Sequence, residues 1–180
     1  MISRPQINEY APFYAGYIQR VPVGRDIFAL LSQQPGELRS LLQHVTNEQA
    51  NARPVPGEWS IKEVIGHICD TERVFAYRTL RIARGDTTPL AGFEQDDYIR
   101  ATDFNTRRLT DLIEEFTAQR YANVLCFQSL AEAEIDRRGI ASDLPVSARA
   151  LIYMLAGHVL HHVESLKTDY HVGERVRPTI

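Results

Sequence analysis

The feature that most limits what this chain can become lies near its end. Ile152, Leu155, Val159, Val163, Leu166 and Tyr170 recur with spacings of 3, 4, 4, 3 and 4 residues, the period of one buried face of an α-helix. Through that stripe runs Gly157-His158-Val159-Leu160-His161-His162, which holds three of the six histidines. Each helical residue turns about 100°, so His158 and His162 share a face, about 40° apart. His161 is also within a turn of His158, and spacing alone allows either pair. Their relation to the stripe separates them: His158 and His162 border it, whereas His161 is turned well away. Two imidazoles at i and i+4 against a core can hold one divalent ion. They can equally be capping or core histidines, and a third ligand from elsewhere has to decide.

The best-punctuated stretch is Pro56-Gly57-Glu58-Trp59-Ser60-Ile61-Lys62-Glu63-Val64. Ser60 and Glu63 have the reciprocal spacing of a capping box and Trp59 can staple onto Val64, so a helix starts at Ile61. Its stripe is Ile61, Val64, Ile68, Phe75, Thr79 and Ile82, ending near Arg84-Gly85, where glycine supplies the left-handed cap. His67 borders this stripe as His158 and His162 border theirs. Asp70 and Glu63, its i+3 and i−4 neighbours, are placed to take the second imidazole N–H. A half-buried histidine with a local partner is the competing reading.

Two further amphipathic segments complete the pattern. Ile27, Leu30, Leu31, Leu38, Leu41, Leu42 and Val45 mark one beginning at Asp26, which Pro35-Gly36 should break or kink. Leu109, Leu112, Ile113, Phe116, Val124 and Phe127 mark another over about 102–130, with Cys126 as a small core residue. Ser147 can cap the last helix, which runs to about Tyr170. Residues 46–57, 86–99 and 136–145 read as loops, and no strand-like alternation or internal repeat appears. Four long amphipathic helices imply an all-α fold, a four-helix bundle. Residues 1–25 carry Tyr10, Phe13, Tyr14 and Tyr17 between Pro5, Pro12 and Pro22, an N-terminal strap that covers core rather than acting as a lid. The chain reads as one domain over 1–180, with the strap at 1–25 and the bundle at about 26–170.

Charge and composition bound the partners. With 180 residues, 44% of them hydrophobic, the chain can bury a sizeable core. A net charge of −3 without a Lys/Arg run gives no nucleic-acid surface. No apolar run approaches a membrane span and no signal core is present. Two cysteines, Cys69 and Cys126, suit a reducing compartment, so the expected location is cytoplasmic. The acidic tip Glu94, Asp96 and Asp97 lacks the calcium-loop pattern. No Ser-His-Asp order, phosphate loop or GxGxxG occurs. Arg81, Arg84 and Arg138 can meet an anionic substrate, or simply be solvated. Val74, Leu80, Met154 and Leu160 fall outside the main stripes and suggest a homodimer.

The run from Pro56 to Arg73 (Pro-Gly-Glu-Trp-Ser-Ile-Lys-Glu-Val-Ile-Gly-His-Ile-Cys-Asp-Thr-Glu-Arg) and Gly157-His158-Val159-Leu160-His161-His162-Val163-Glu164 together resemble the DinB-like family of four-helix metalloenzymes. Tyr77-Arg78, Arg81-Ile82-Ala83-Arg84-Gly85 and Arg138-Gly139 extend the likeness over nearly the whole chain. The resemblance implies three histidine ligands, one from the second helix and two from the fourth, which fall on His67, His158 and His162. It picks the same pair as the helical stripe. It further implies an open divalent-metal site, zinc or nickel by its imidazole set. The activity it implies is that of a metal-dependent transferase or hydrolase acting on a small molecule. Relatives use low-molecular-weight thiols, as in thiol S-transferases and a mycothiol-dependent maleylpyruvate isomerase. The alternative is a non-enzymatic metal-binding or stress-response module on the same bundle.

Overall fold

A computed structural model describes residues 2–173; Met1 and residues 174–180 of the expected domain lie outside the described residues. In chain order the helices are α1 (Ala15–Arg20), α2 (Ile27–Leu42), α3 (Asn47–Asn51), α4 (Ile61–Ala83), α5 (Gln95–Ala101), α6 (Leu109–Gln128), α7 (Glu132–Ile135) and α8 (Ala148–Thr168). A hairpin of β1 (Arg138–Ala141) and β2 (Leu144–Ser147) lies before α8. The four long helices α2, α4, α6 and α8 form the bundle, and the strap's α1 lies along α8.

The caps read from the sequence set the two histidine-bearing helices. Ser60 Oγ accepts from the Glu63 N–H at 3.2 Å while the Ser60 N–H donates to Glu63 Oε2 at 2.7 Å. Each side chain thus satisfies a helix-end donor of the other. Ser147 Oγ accepts from the Ala150 N–H at 2.9 Å and starts α8.

Several local expectations are corrected. Pro35 does not break α2, which is continuous from Ile27 to Leu42. Proline leaves the carbonyl four residues back without its helical donor, and the Leu31 carbonyl accepts instead from Arg120 Nη1 at 3.5 Å. Within 46–57 a second capping box, Thr46 with Gln49, starts the short α3. Residues 95–99 of the expected acidic loop belong to α5. α6 begins at Leu109, after a separate 3₁₀ turn over Phe104–Thr106. The polar connection at 136–145 holds the hairpin, whose turn residues Ser142 and Asp143 have φ of 53° and 60°. Left-handed conformation at both central residues suits the strand twist, but four-residue strands with Pro145 in one give little alternation to detect. Of the residues read as leftover surface, Met154 is fully buried and Val74 and Leu160 are partly buried against the core, while Leu80 stays exposed.

One polar network crosses the middle of the core. Arg120 of α6 and Glu72 of α4 are both essentially inaccessible and pair through two hydrogen bonds, of 2.9 and 2.7 Å. Asn123 donates to the same carboxylate at 2.8 Å. Arg120 also donates to Gln34 Oε1 of α2 and, at 3.5 Å, to the Leu155 carbonyl of α8. Gln34 in turn donates to the Ala156 carbonyl at 2.8 Å. Buried charges persist only when paired and hydrogen-bonded, and this pair ties all four bundle helices together.

Candidate metal centre

α4 and α8 pack face to face, and the residue before a histidine on each is a glycine for a steric reason. A Cβ on Gly157 would lie 2.0 Å from the Tyr17 carbonyl oxygen, so the strap backbone can approach α8 only there. A Cβ on Gly66 would lie 2.4 Å from the Phe104 ring. His67 and His158 therefore each follow a position where another element presses tightly on the helix.

The three expected histidines come together. His67 Nε2 lies 2.9 Å from His158 Nε2, and His162 Nε2 lies 3.1 Å from the same atom. All three offer a ligand nitrogen within 4.8 Å of one another. Nitrogens bound tetrahedrally to zinc at about 2.0–2.1 Å stand about 3.3 Å apart, close to this spacing. Burial holds His67 down to about 4, with His161 adding to the effect. Burial drives His158 and His162 well below the ordinary histidine range, reinforced at each by the other imidazoles. The rings are therefore neutral at pH 7. One proton on His158 Nε2 can serve only one of its two nitrogen neighbours. The trio is therefore not closed by hydrogen bonds among its own ring nitrogens, and the set could hold a metal ion. His161 stays outside it, half-buried, with its ring 5.8 Å from that of Tyr17.

The carboxylates expected beside His67 are engaged elsewhere. Glu63 is held by its cap, by Arg53 at 2.7 Å and by Asn105 at 3.4 Å. Asp70 faces Arg73 at 3.7 Å. His67 Nδ1 lies 3.5 Å from the Thr71 hydroxyl, one turn along α4 and not singled out in the sequence. Trp59, ahead of the cap, sets its ring 4.9 Å from that of His67.

A cavity of about 370 Å³ opens onto His67 and His158. Its walls include Phe13, Tyr14 and Tyr17 of the strap, Thr71 and Phe75 of α4, and Phe93. The strap, expected only to cover core, thus shapes access to the histidines. Glu94 and Asp96 at the start of α5 and Ser142 of the hairpin turn complete the rim. Their distance in sequence from any histidine hid them from motif reasoning. Arg81, Arg84 and Arg138, weighed above as anion contacts, meet Asp86, Glu134 and Asn8 instead.

The pattern defining the DinB superfamily matches residues 30–166, a span that includes all three histidines. No curated protein matches the chain. Among solved structures, YfiT from Bacillus subtilis, described as a probable metal-dependent hydrolase with an unusual four-helix bundle topology, superimposes with a TM-score of 0.68. The two share 14% identity, over 78% of this chain and 83% of that one. A mycothiol-dependent maleylpyruvate isomerase superimposes with a TM-score of 0.65 at 14% identity, over 82% of this chain. The match spans only 60% of that isomerase. At such identities the likeness concerns the fold. Among the described residues no helix is long and apolar enough to cross a membrane.

Proposed function

The chain belongs to the DinB superfamily, and we propose that it is a metal-dependent enzyme, a hydrolase or a thiol-dependent transferase. The carrying observation is the convergence of three neutral imidazoles, two of which, His67 and His158, line a cavity of about 370 Å³. Nε2 of His67, His158 and His162 would hold one zinc or nickel ion, which imidazole ligands favour. When bound, such an ion lowers the pKa of a coordinated water or thiol and polarises a substrate carbonyl. The chain's own residues supply the rest. Thr71 steadies His67 through Nδ1, and Gly66 and Gly157 let Phe104 and the strap fix both helices. Tyr14, Tyr17, Phe75 and Phe93 give apolar walls that shield a substrate from water. A non-enzymatic metal-binding module would need no such cavity, and its presence favours the enzyme. The hydrolase described for YfiT and the mycothiol dependence of the isomerase agree with the two chemistries proposed.

The test is turnover. Protein stripped with a chelator and reloaded with zinc or nickel is screened against activated esters and amides without thiol. A second screen pairs electrophiles with low-molecular-weight thiols. Metal-dependent activity that disappears in His158→Ala is the expected result. Loaded protein inert in both screens would favour the non-enzymatic module.

A further inference from the structure

Among the described residues two arginines are buried, and only one of them has a counter-charge. Arg120 is 0% exposed and faces Glu72; Arg78, on α4, is 2% exposed. Arg78 Nη2 donates to the Ala91 carbonyl at 2.7 Å and to Ser142 Oγ at 2.9 Å. The Tyr14 phenol is an electrostatic neighbour, and the guanidinium lies 5.6 Å from the centre of the Phe93 ring. All these partners are neutral at pH 7, and among the described residues no carboxylate forms an ion pair with it. A buried charge left without a partner is strongly unfavourable. Burial accordingly pulls the guanidinium below its ordinary pKa.

The surroundings hold that cation in place. The segment carrying Ala91 is clipped to the hairpin, the Leu90 N–H donating to the Ile140 carbonyl at 2.9 Å and the Ser142 N–H to the Leu90 carbonyl at 3.0 Å. Arg78 lines a pocket of about 360 Å³ with Val74, Pro89, Phe93 and Tyr98. Arg81, also on its wall, is neutralised by Asp86. Phe93 is shared with the cavity over the histidines, so the two spaces adjoin.

We propose that this pocket is a carboxylate-binding subsite: Arg78 receives the carboxylate of a small organic acid, and Phe93, Tyr98 and Pro89 pack its apolar body. A guanidinium suits a carboxylate better than any other side chain does, and flat apolar walls suit an aromatic or short alkyl acid. The assignment does not rest on the metal reading, because its anion contact is Arg78.

The experiment is an NMR titration of the full chain, once with chelator and once with zinc, using acetate, benzoate and 3-phenylpropanoate beside their amides. At least one acid should bind wild type about tenfold or more tightly than its amide, the margin of a charged hydrogen bond, and shift the Arg78 Nε–H signal. Arg78→Gln should abolish the preference and Arg78→Lys should retain part of it, equally with chelator or zinc. Acids that bind no better than amides would overturn the proposal. So would equal acid binding by Arg78→Gln, or binding that appears only with zinc, which would place the anion on the metal. Should Arg78→Gln fail to fold, an unmoved Arg78 Nε–H signal in wild type overturns it.

Discussion

Two buried polar clusters lie next to each other in the bundle, and they are finished differently. Around Arg120 and Glu72, donors and acceptors are matched: the guanidinium reaches both carboxylate oxygens, an amide and two carbonyls, and Asn123 adds a second donor to Glu72 Oε1. Around His67, His158 and His162, Nε2 of His158 faces two ring nitrogens and can complement only one of them with a proton. Both clusters are buried and join α4 to α8 or to α6. The first is complete within the protein, whereas the proposed function completes the second with a bound ion. Burial marks neither as functional; the difference lies in what remains unsatisfied.

The largest effect should come from damaging the finished cluster. Glu72→Leu leaves Arg120 charged and alone and should destabilise the fold by about 3–5 kcal/mol, whereas Glu72→Leu with Arg120→Leu should recover most of that. Chemical denaturation of the two variants measures it. A single variant as stable as wild type would mean the pair does not hold the bundle.

The histidine cluster should instead be sensitive to acid. His67 is depressed from 6.5 to about 4, so its contribution to the metal-free protein is fully present above pH 6.5. It is lost as pH falls from there towards 4, because the unfolded chain takes up the proton first. The loss should reach about 3 kcal/mol, read as a falling melting temperature in chelator. His67→Leu should lose less over the same window. Parallel curves would show that His67 is not held neutral.

Least costly is the cap that sets α4 and so the height of His67. Ser60→Ala should cost about 1–2 kcal/mol and weaken metal binding in the same protein. Thermal melts and metal titration of that variant provide the check. Unchanged stability would sever the cap from the site.

Legibility in the sequence followed the range of the signal. α4 and α8 announced themselves because their caps and stripes are local, and their edge histidines could be read from the 3.6-residue period alone. The Arg120–Glu72 pair joins positions 48 residues apart, and no local pattern marks a charge destined for the core. The same holds for Thr71, whose role appears only once His67 is placed. The uninterrupted passage of α2 through Pro35 depends on Arg120 reaching the Leu31 carbonyl from another helix. The hairpin at 138–147 was hidden by strands of four residues and a Ser-Asp turn. The strap's aromatics were visible, but their place in the cavity wall depends on how closely α1 approaches Gly157.

The claim that the second cluster is complete only with a metal is most directly tested by equilibrium dialysis against zinc, using protein purified without a nickel column. Wild type and His161→Ala should each retain about one ion per chain, the capacity of a single three-histidine site. His67→Ala, His158→Ala and His162→Ala should each retain none. Wild type that binds no ion, or a His67→Ala variant that binds as wild type does, would contradict the account.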